Sequence, residues 1–156
     1  MIETTIVFLR KEDELLLAMK KRGFGEGRFN GTGGKIEPGE SAAECARRET
    51  LEEIGVTALT LTKVAELTFH EEHDGSPHHV HSHVFVCTDW TGEPAETEEM
   101  SPHWFKLSAI PYDTMWPDDI HWLPNVLLGE KIVGEFWFDS HDTVIDQTIK
   151  TVENFS

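Results

Sequence analysis

Glu40, Glu44, Glu49, Glu52 and Glu53 crowd into GGKIEPGESAAECARRETLEEIGV, residues 33–56, directly behind a run of glycines. On a helix Glu49 lies three residues from Glu52 and four from Glu53, so the three carboxylates share part of one face. Left alone they repel, by about 0.2–0.5 kcal/mol per pair. Either the face is simply solvated or a cation is the missing partner. Three carboxylates with no His or Cys beside them form a hard oxygen donor set, which suits Mg²⁺, with Mn²⁺ as a second option, rather than zinc. Arg48, about 100° round the helix, is placed to orient a carboxylate by a bidentate contact or to touch phosphate. Gly31, Gly33 and Gly34 would let backbone approach a ligand closely, with Lys35 beside them. The loop is not a Walker A motif, because Phe29 stands where its first Gly belongs and Ile36 where it needs Ser or Thr.

The elements that must position these groups are well punctuated. Pro38-Gly39 is a turn, Ser41 with Glu44 is a capping box, and Gly55 supplies a left-handed stop, which predicts a helix from about residue 42 to 53. Before it, residues 5–9 and 15–19 read as strands of a hairpin across the charged turn Arg10 to Glu14, and the glycine-rich stretch Lys21 to Lys35 reads as loop with short extended pieces. Apolar strand-like runs follow near 58–70, 80–88 and 103–107. A second helix is expected from about 118 to 128, and residues 135–138 and 143–149 form a closing hairpin around a polar turn. Strands, one central helix, more strands and a late helix predict an α+β sandwich with helices packed on a mixed sheet.

A chain of 156 residues with 38% hydrophobic content suits one domain, able to bury about two thirds of its unfolded surface. The 29 acidic residues against 13 Lys and Arg give a net charge of −16, a field that repels duplex nucleic acid and anionic membranes. A polyanionic small molecule remains an acceptable substrate if divalent cations bridge it to the protein. The N-terminal stretch lacks a signal-peptide pattern and no apolar run approaches 18 residues, so a cytoplasmic protein is expected. Cys45 and Cys87 stand in no ligand spacing and read as free thiols.

Gly34, Glu40, Arg48-Glu49, Glu52-Glu53, Gly55 and Val56 match the 23-residue Nudix box, a pattern whose seven fixed letters arise by chance at on the order of 10⁻⁸ to 10⁻⁹ per start position. One position departs from it: Thr50 stands in the first apolar slot after Arg48-Glu49. The chain therefore resembles the Nudix hydrolases, and within them it is similar to the vertebrate-type MutT homologues, the oxidised purine nucleoside triphosphatases. That resemblance extends through MKKRGFGEGRFNGTGGK (19–35), EEM (98–100), DTMWPDDIHWLP (113–124) and DTVID (142–146). It implies a Nudix α/β/α sandwich with two main helices and Mg²⁺-dependent attack of water on a phosphoanhydride. The substrate would be an oxidised purine nucleoside triphosphate of the 8-oxo-dGTP or 2-hydroxy-dATP type, released as monophosphate and pyrophosphate by a monomer.

By the same resemblance Glu49, Glu52 and Glu53 are metal ligands, joined by Gly33 and an outlying Glu99, with Glu52 or Glu53 also a candidate base and Glu40 and Arg48 orienting them. Asn30, Asp118 and Asp119 would hydrogen-bond the purine, Phe24, Phe69, Met100, Trp116, Trp122 and Phe138 would wall the pocket, and Lys20 and Thr5 would complete the substrate contacts. Two adjacent carboxylates in an aromatic pocket cannot both ionise easily, so one of Asp118 and Asp119 is expected to hold a proton near neutral pH. Without the resemblance the same pair reads as the first turn of a helix. Two residues beyond Phe69 the family has an aromatic and this chain has Glu71, the start of a His-rich segment, residues 70–83. That segment is expected to be a polar hairpin tip with His81 or His83 towards the pocket, while alternating His79, His81 and His83 also leave a zinc or nickel site open. Another phosphoanhydride substrate, such as ADP-ribose or a dinucleoside polyphosphate, and a non-catalytic nucleotide-binding module remain the alternatives.

Overall fold

The computed structural model of the chain describes residues 1–155. Its elements are β1 (Ile2–Lys11), β2 (Glu14–Lys20), β3 (Phe29–Asn30), α1 (Ala42–Ile54), β4 (Thr57–His73), β5 (Ser76–Thr91), β6 (Met100–Lys106), α2 (Asp119–Leu127), β7 (Lys131–Phe138) and β8 (Val144–Val152). The strands form one sheet in the order β3-β2-β1-β5-β4-β7-β8, with β6 paired to β2. It is mixed: β1 runs parallel to β5 and β4 parallel to β7, and the remaining pairs are antiparallel.

Alternation along the strands separates two cores. Val7 and Leu9 of β1, Leu16 and Ala18 of β2, and Phe85 and Cys87 of β5 face α1, where Ala46, Ile54 and Val56 meet them. Phe8, Leu15, Leu17, Val84 and Val86 point the other way, into a larger cluster with Trp122, Leu123 and Val126 of α2 and with Phe69, Phe136 and Phe138. Period-2 burial on both faces requires a layer on each, and the helices supply them, giving the expected α/β/α sandwich.

The punctuation of α1 is as read from the sequence. Ser41 Oγ accepts from the Glu44 amide at 3.1 Å, Glu44 Oε1 accepts from the Ser41 amide at 2.9 Å, and Gly55 ends the helix in the left-handed region at φ 73°. The expected hairpin of residues 5–9 with 15–19 is a hairpin only at its tip, where Arg10 pairs with Leu15 and Lys11 with Glu14. Beyond that β1 follows β5 and β2 follows β6, and the glycine loop fills the wedge between them. Val7 and Thr32 exchange backbone hydrogen bonds of 2.7 and 2.9 Å, and the Thr5 amide donates to Gly34 O at 2.9 Å.

Strands β4 and β5 are longer than their apolar runs because the His-rich segment continues both arms to a two-residue turn at Asp74-Gly75, each with positive φ. The polar hairpin tip is as expected. The direction of its histidines is not: β5 presents His78, Val80 and Ser82 to the cavity described below, while His81 and His83 lie on the opposite face against Glu3. Period-2 alternation forces this, since the odd-numbered residues of β5 share the α1 face with Phe85.

Candidate active site

Helix α1 is stitched to the glycine loop by side chains that the helix alone does not reveal. Cys45 Sγ lies 3.3 Å from Thr5 Oγ1 and donates to Lys35 O at 3.4 Å, and Thr50 Oγ1 lies 2.8 Å from Thr32 Oγ1 in a fully buried contact. The hydroxyl at the one unusual position of the box thus closes a buried hydrogen bond between helix and loop, where an apolar residue would leave Thr32 with a weaker partner. Gly33 adopts φ 143° against β1, and a Cβ there would sit 1.9 Å from Thr5 O. A Cβ on Gly34 would sit 2.7 Å from the Glu49 carboxyl. The glycines therefore admit the protein's own strand and carboxylate, in addition to bringing backbone to the cavity that Gly31, Gly33 and Gly34 line. Gly33→Ala should cost about 2–4 kcal/mol in urea denaturation of metal-free protein. A loss below about 0.5 kcal/mol would show that the wedge is not tightly packed.

Arg48 is the hub of the carboxylates. Its Nε and Nη2 donate to Glu40 at 2.7 and 3.0 Å in a fork, Nη1 donates to Glu49 Oε1 at 2.8 Å, and Glu52 Oε2 lies 3.5 Å away. Hydrogen bonds from Arg48 and from the Glu37 amide hold the Glu40 carboxyl down at about 2. The three glutamates of the shared face are unequal. Glu52 is mostly exposed, whereas Glu53 is buried at 7% exposure, with Oε1 3.4 Å from the Gly33 amide and Oε2 without any hydrogen-bond partner. Burial, then the neighbouring charge of Glu49, push the Glu53 carboxyl up to about 8. A buried carboxylate oxygen with no donor, beside a second carboxylate, is the environment a divalent cation satisfies, so this donor set fits Mg²⁺ or Mn²⁺. Glu99 has its carboxylate 2.6 Å from Arg22, a half-exposed ion pair that does not line the cavity described next.

A cavity of about 450 Å³, within the range of small-molecule sites, opens on the other side of the glycine loop, and Glu49, Glu52 and Glu53 do not line it themselves. Gly33 and Gly34, which touch Glu53 and Glu49, form its rim on that side together with Lys20, Thr5 and Lys35. Asn30, Phe24, Phe69, Met100, Trp116, Asp118 and Asp119 line the rest. Trp122 and Phe138 do not. Trp122 is wholly buried and donates its indole N–H to Asp118 Oδ2 at 2.8 Å, and Phe138 packs behind Phe69 with ring centroids 6.1 Å apart. These two rings support the wall from within the α2-side core, which corrects the expectation that they form it.

Asp118 and Asp119 open α2 yet cap nothing with their side chains, and each is 3% exposed. Burial raises the Asp118 carboxyl to about 6. Burial, and then the charge of Asp118, raise Asp119 well above the usual carboxylate range, and its Oδ2 has no partner. Both carboxyls are thus shifted towards their protonated forms, and the indole N–H that Asp118 Oδ2 accepts favours Asp118 as the more acidic of the two.

Three features of the cavity were not assigned to it from the sequence, although Glu71 stood out there as a departure from the family. The Arg28 guanidinium lies over the Trp116 ring at 4.2 Å while Phe24 packs on that ring at 5.1 Å. Glu71 and His73, 3.1 Å apart, enter the cavity beside Phe69, and His78 joins them from β5. Strand alternation from Phe69 could have signalled Glu71 and His73, since i+2 and i+4 share its face. Nothing local could have signalled Arg28.

Residues 2–126 match the NUDIX domain family. The chain is 43% identical over 151 residues to the oxidized purine nucleoside triphosphate hydrolase of Mus musculus, covering 97% of this chain and 96% of the mouse protein. It is 42% identical to the Danio rerio protein of the same name, covering 96% and 95%. A MutT protein from Bacillus halodurans superposes with a TM-score of 0.83 at 23% identity, covering 96% of this chain and 98% of that one, a likeness of fold. No helix among the described residues is long and apolar enough to cross a membrane. With the box on α1, the mixed sheet between two helices and a family match across most of its length, the chain belongs to the Nudix family.

Proposed function

We propose that the protein hydrolyses oxidised purine nucleoside triphosphates to the monophosphate and pyrophosphate, acting as a single-domain monomer in the cytoplasm. One observation carries the reading: a single cavity runs from the buried Asp118-Asp119 pair to the glycine rim in front of Glu49 and Glu53. A purine edge at the first end puts a phosphate chain at the second. The relatives in mouse and zebrafish, whose names state that activity, support the same substrate class.

In this reading Glu49, Glu52 and Glu53 hold Mg²⁺, with Gly33 O and Glu99 as further candidates at the edge of the site. The ion supplies charge neutralisation along the phosphate chain and a lowered pKa for an attacking water. Arg48 and Glu40 fix the carboxylates in place, and Glu52 or Glu53 accepts the proton of the water. Lys20 and Thr5 lie towards the phosphates, while Asn30, Asp118 and Asp119 read the base among Phe24, Phe69, Met100 and Trp116. The stack of Phe24 and Arg28 on Trp116 must open for a base to use that ring. Stacking contributes roughly 1–3 kcal/mol in comparable sites.

Pyrophosphate release with Mg²⁺ across 8-oxo-dGTP, 2-hydroxy-dATP and dGTP, with ADP-ribose and diadenosine tetraphosphate scored by their own products, tests this. A kcat/KM for the oxidised purines at least about tenfold above dGTP, or about 1.4 kcal/mol of discrimination, supports it. Preference for ADP-ribose or the dinucleoside keeps the Nudix chemistry and discards the substrate. No turnover of any member, with nucleotide still bound, identifies a binding module.

A further inference from the structure

The other face of the sheet, away from the cavity, holds a convergent set of donors that the proposed hydrolysis does not use. The parallel register of β1 and β5 sets Glu3 beside His81 and Thr5 beside His83, so one carboxylate and two imidazoles rise from the same face. Glu3 Oε1 lies 3.0 Å from His81 Nδ1 and 3.0 Å from His83 Nε2, and the two rings are 4.7 Å apart. All three ligand atoms fall within 4.8 Å of one another. Donors about 2 Å from a tetrahedral ion stand about 3.3 Å apart, so the set needs only small side-chain rotations to enclose one.

We propose that Glu3, His81 and His83 form a binding site for a divalent transition-metal ion of the zinc type, separate from the glutamates of α1. Imidazole nitrogen selects such an ion over magnesium, and one carboxylate with two histidines leaves a fourth position for water. Glu66 supplies the outer support: its Oε1 lies 3.8 Å from His83 Nδ1, placed to accept the N–H that a histidine bound through Nε2 must carry there. Lys63 opposes it. Its ammonium pairs with Glu66 and lies 2.9 Å from His83 Nδ1, holding the tautomer whose Nε2–H donates to Glu3. Metal binding at Nε2 therefore requires the His83 proton to move from Nε2 to Nδ1, which changes from an acceptor of the Lys63 ammonium to a donor towards Glu66. The consequence for the fold is a clamp between β1 and β5 at the residue whose carbonyl accepts from the Ile36 amide at 2.9 Å, at the root of the glycine loop.

Calorimetric titration of untagged, metal-free protein with Zn²⁺ in excess Mg²⁺, which occupies hard carboxylate sites, tests the proposal. One saturable equivalent is expected, weakened at least tenfold in His83→Ala, His81→Ala and Glu3→Gln. Binding should be unchanged in His79→Ala and in the Glu49→Gln/Glu52→Gln double variant, and tighter in Lys63→Met. Zn²⁺ at about 100 times its Kd should raise Tm by roughly 5–10 °C in the wild type and not in Glu3→Gln, a conservative change that also serves if a His→Ala variant does not fold. Absence of saturable binding, binding that survives loss of both His81 and His83, or binding that disappears with Glu49 and Glu52 each overturns the site.

Discussion

Glu53→Gln is expected to lower Mg²⁺-dependent kcat/KM for 8-oxo-dGTP by roughly 10²–10⁴-fold while making the metal-free protein more stable at pH 8. The first effect follows whether Glu53 is the proton acceptor or a ligand, since a positioned acid-base group contributes about that much. The second follows from burial. Glu53 rises from an ordinary 4.5 to about 8 in the fold, so its favourable contribution is fully present below about pH 4.5 and is lost as pH rises through about 8. Gln removes that dependence. Relative to the wild type the variant should therefore gain little at pH 4.5 and about 1–3 kcal/mol at pH 8 and above, which is about 3–8 °C in Tm. Saturating Mg²⁺ should reverse the order, because only the wild type gains full ligand stabilisation. Calorimetric scans at the two pH values, with and without Mg²⁺, measure both signs. A Gln variant that turns over normally would overturn the metal assignment, and one that is destabilised in metal-free buffer at pH 8 would show that Glu53 is satisfied without an ion.

Asp119→Ala should lower kcat/KM for oxidised purines by roughly 5- to 150-fold, the equivalent of about 1–3 kcal/mol for a buried hydrogen bond left unmade. Asp119→Asn keeps a neutral donor and should retain most of the activity. The contrast separates a reader of the base from a mere helix residue, because Ala is the better helix former and either change relieves the buried carboxyl. The pair should also impose a pH signature. As pH rises through about 6, Asp118 loses its proton and with it any donor, while burial and the charge of Asp118 favour the protonated form of Asp119. Guanine nucleotides, which offer N–H donors beside one carbonyl on that edge, should gain on 2-hydroxy-dATP between pH 5 and 7. A ratio of kcat/KM values independent of pH over that interval would show that the pair does not switch.

The hairpin segment at residues 70–83 illustrates how far local pattern reaches. Period-2 alternation was legible, and it placed His79, His81 and His83 together on one face. Which face that was depended on the parallel pairing of β5 with β1, a contact between residues roughly 80 apart in the chain. The same limit applies to the aromatic residues: Trp116 and Trp122 look alike in sequence, yet one lines the cavity and the other is sealed behind Asp118.

By itself the sequence determined the capped helix that carries Glu49, Glu52 and Glu53, the Nudix box, the order of strands and helices and the acidic character of the chain. Those features rest on short-range rules, namely capping hydrogen bonds, side-chain periodicity and the conformational preferences of Gly and Pro, and they survive without knowledge of neighbours. The tertiary structure alone decided that β1 and β2 part around the glycine loop and that Glu53 is buried while Glu52 is exposed. It alone decided that Asp119 lacks a partner, that Arg28 covers Trp116, and that Glu3 meets His81 and His83. Each of these depends on which distant segments exclude water from a group or bring charge against it, and desolvation and Coulomb interactions are properties of the assembled surroundings rather than of spacing along the chain.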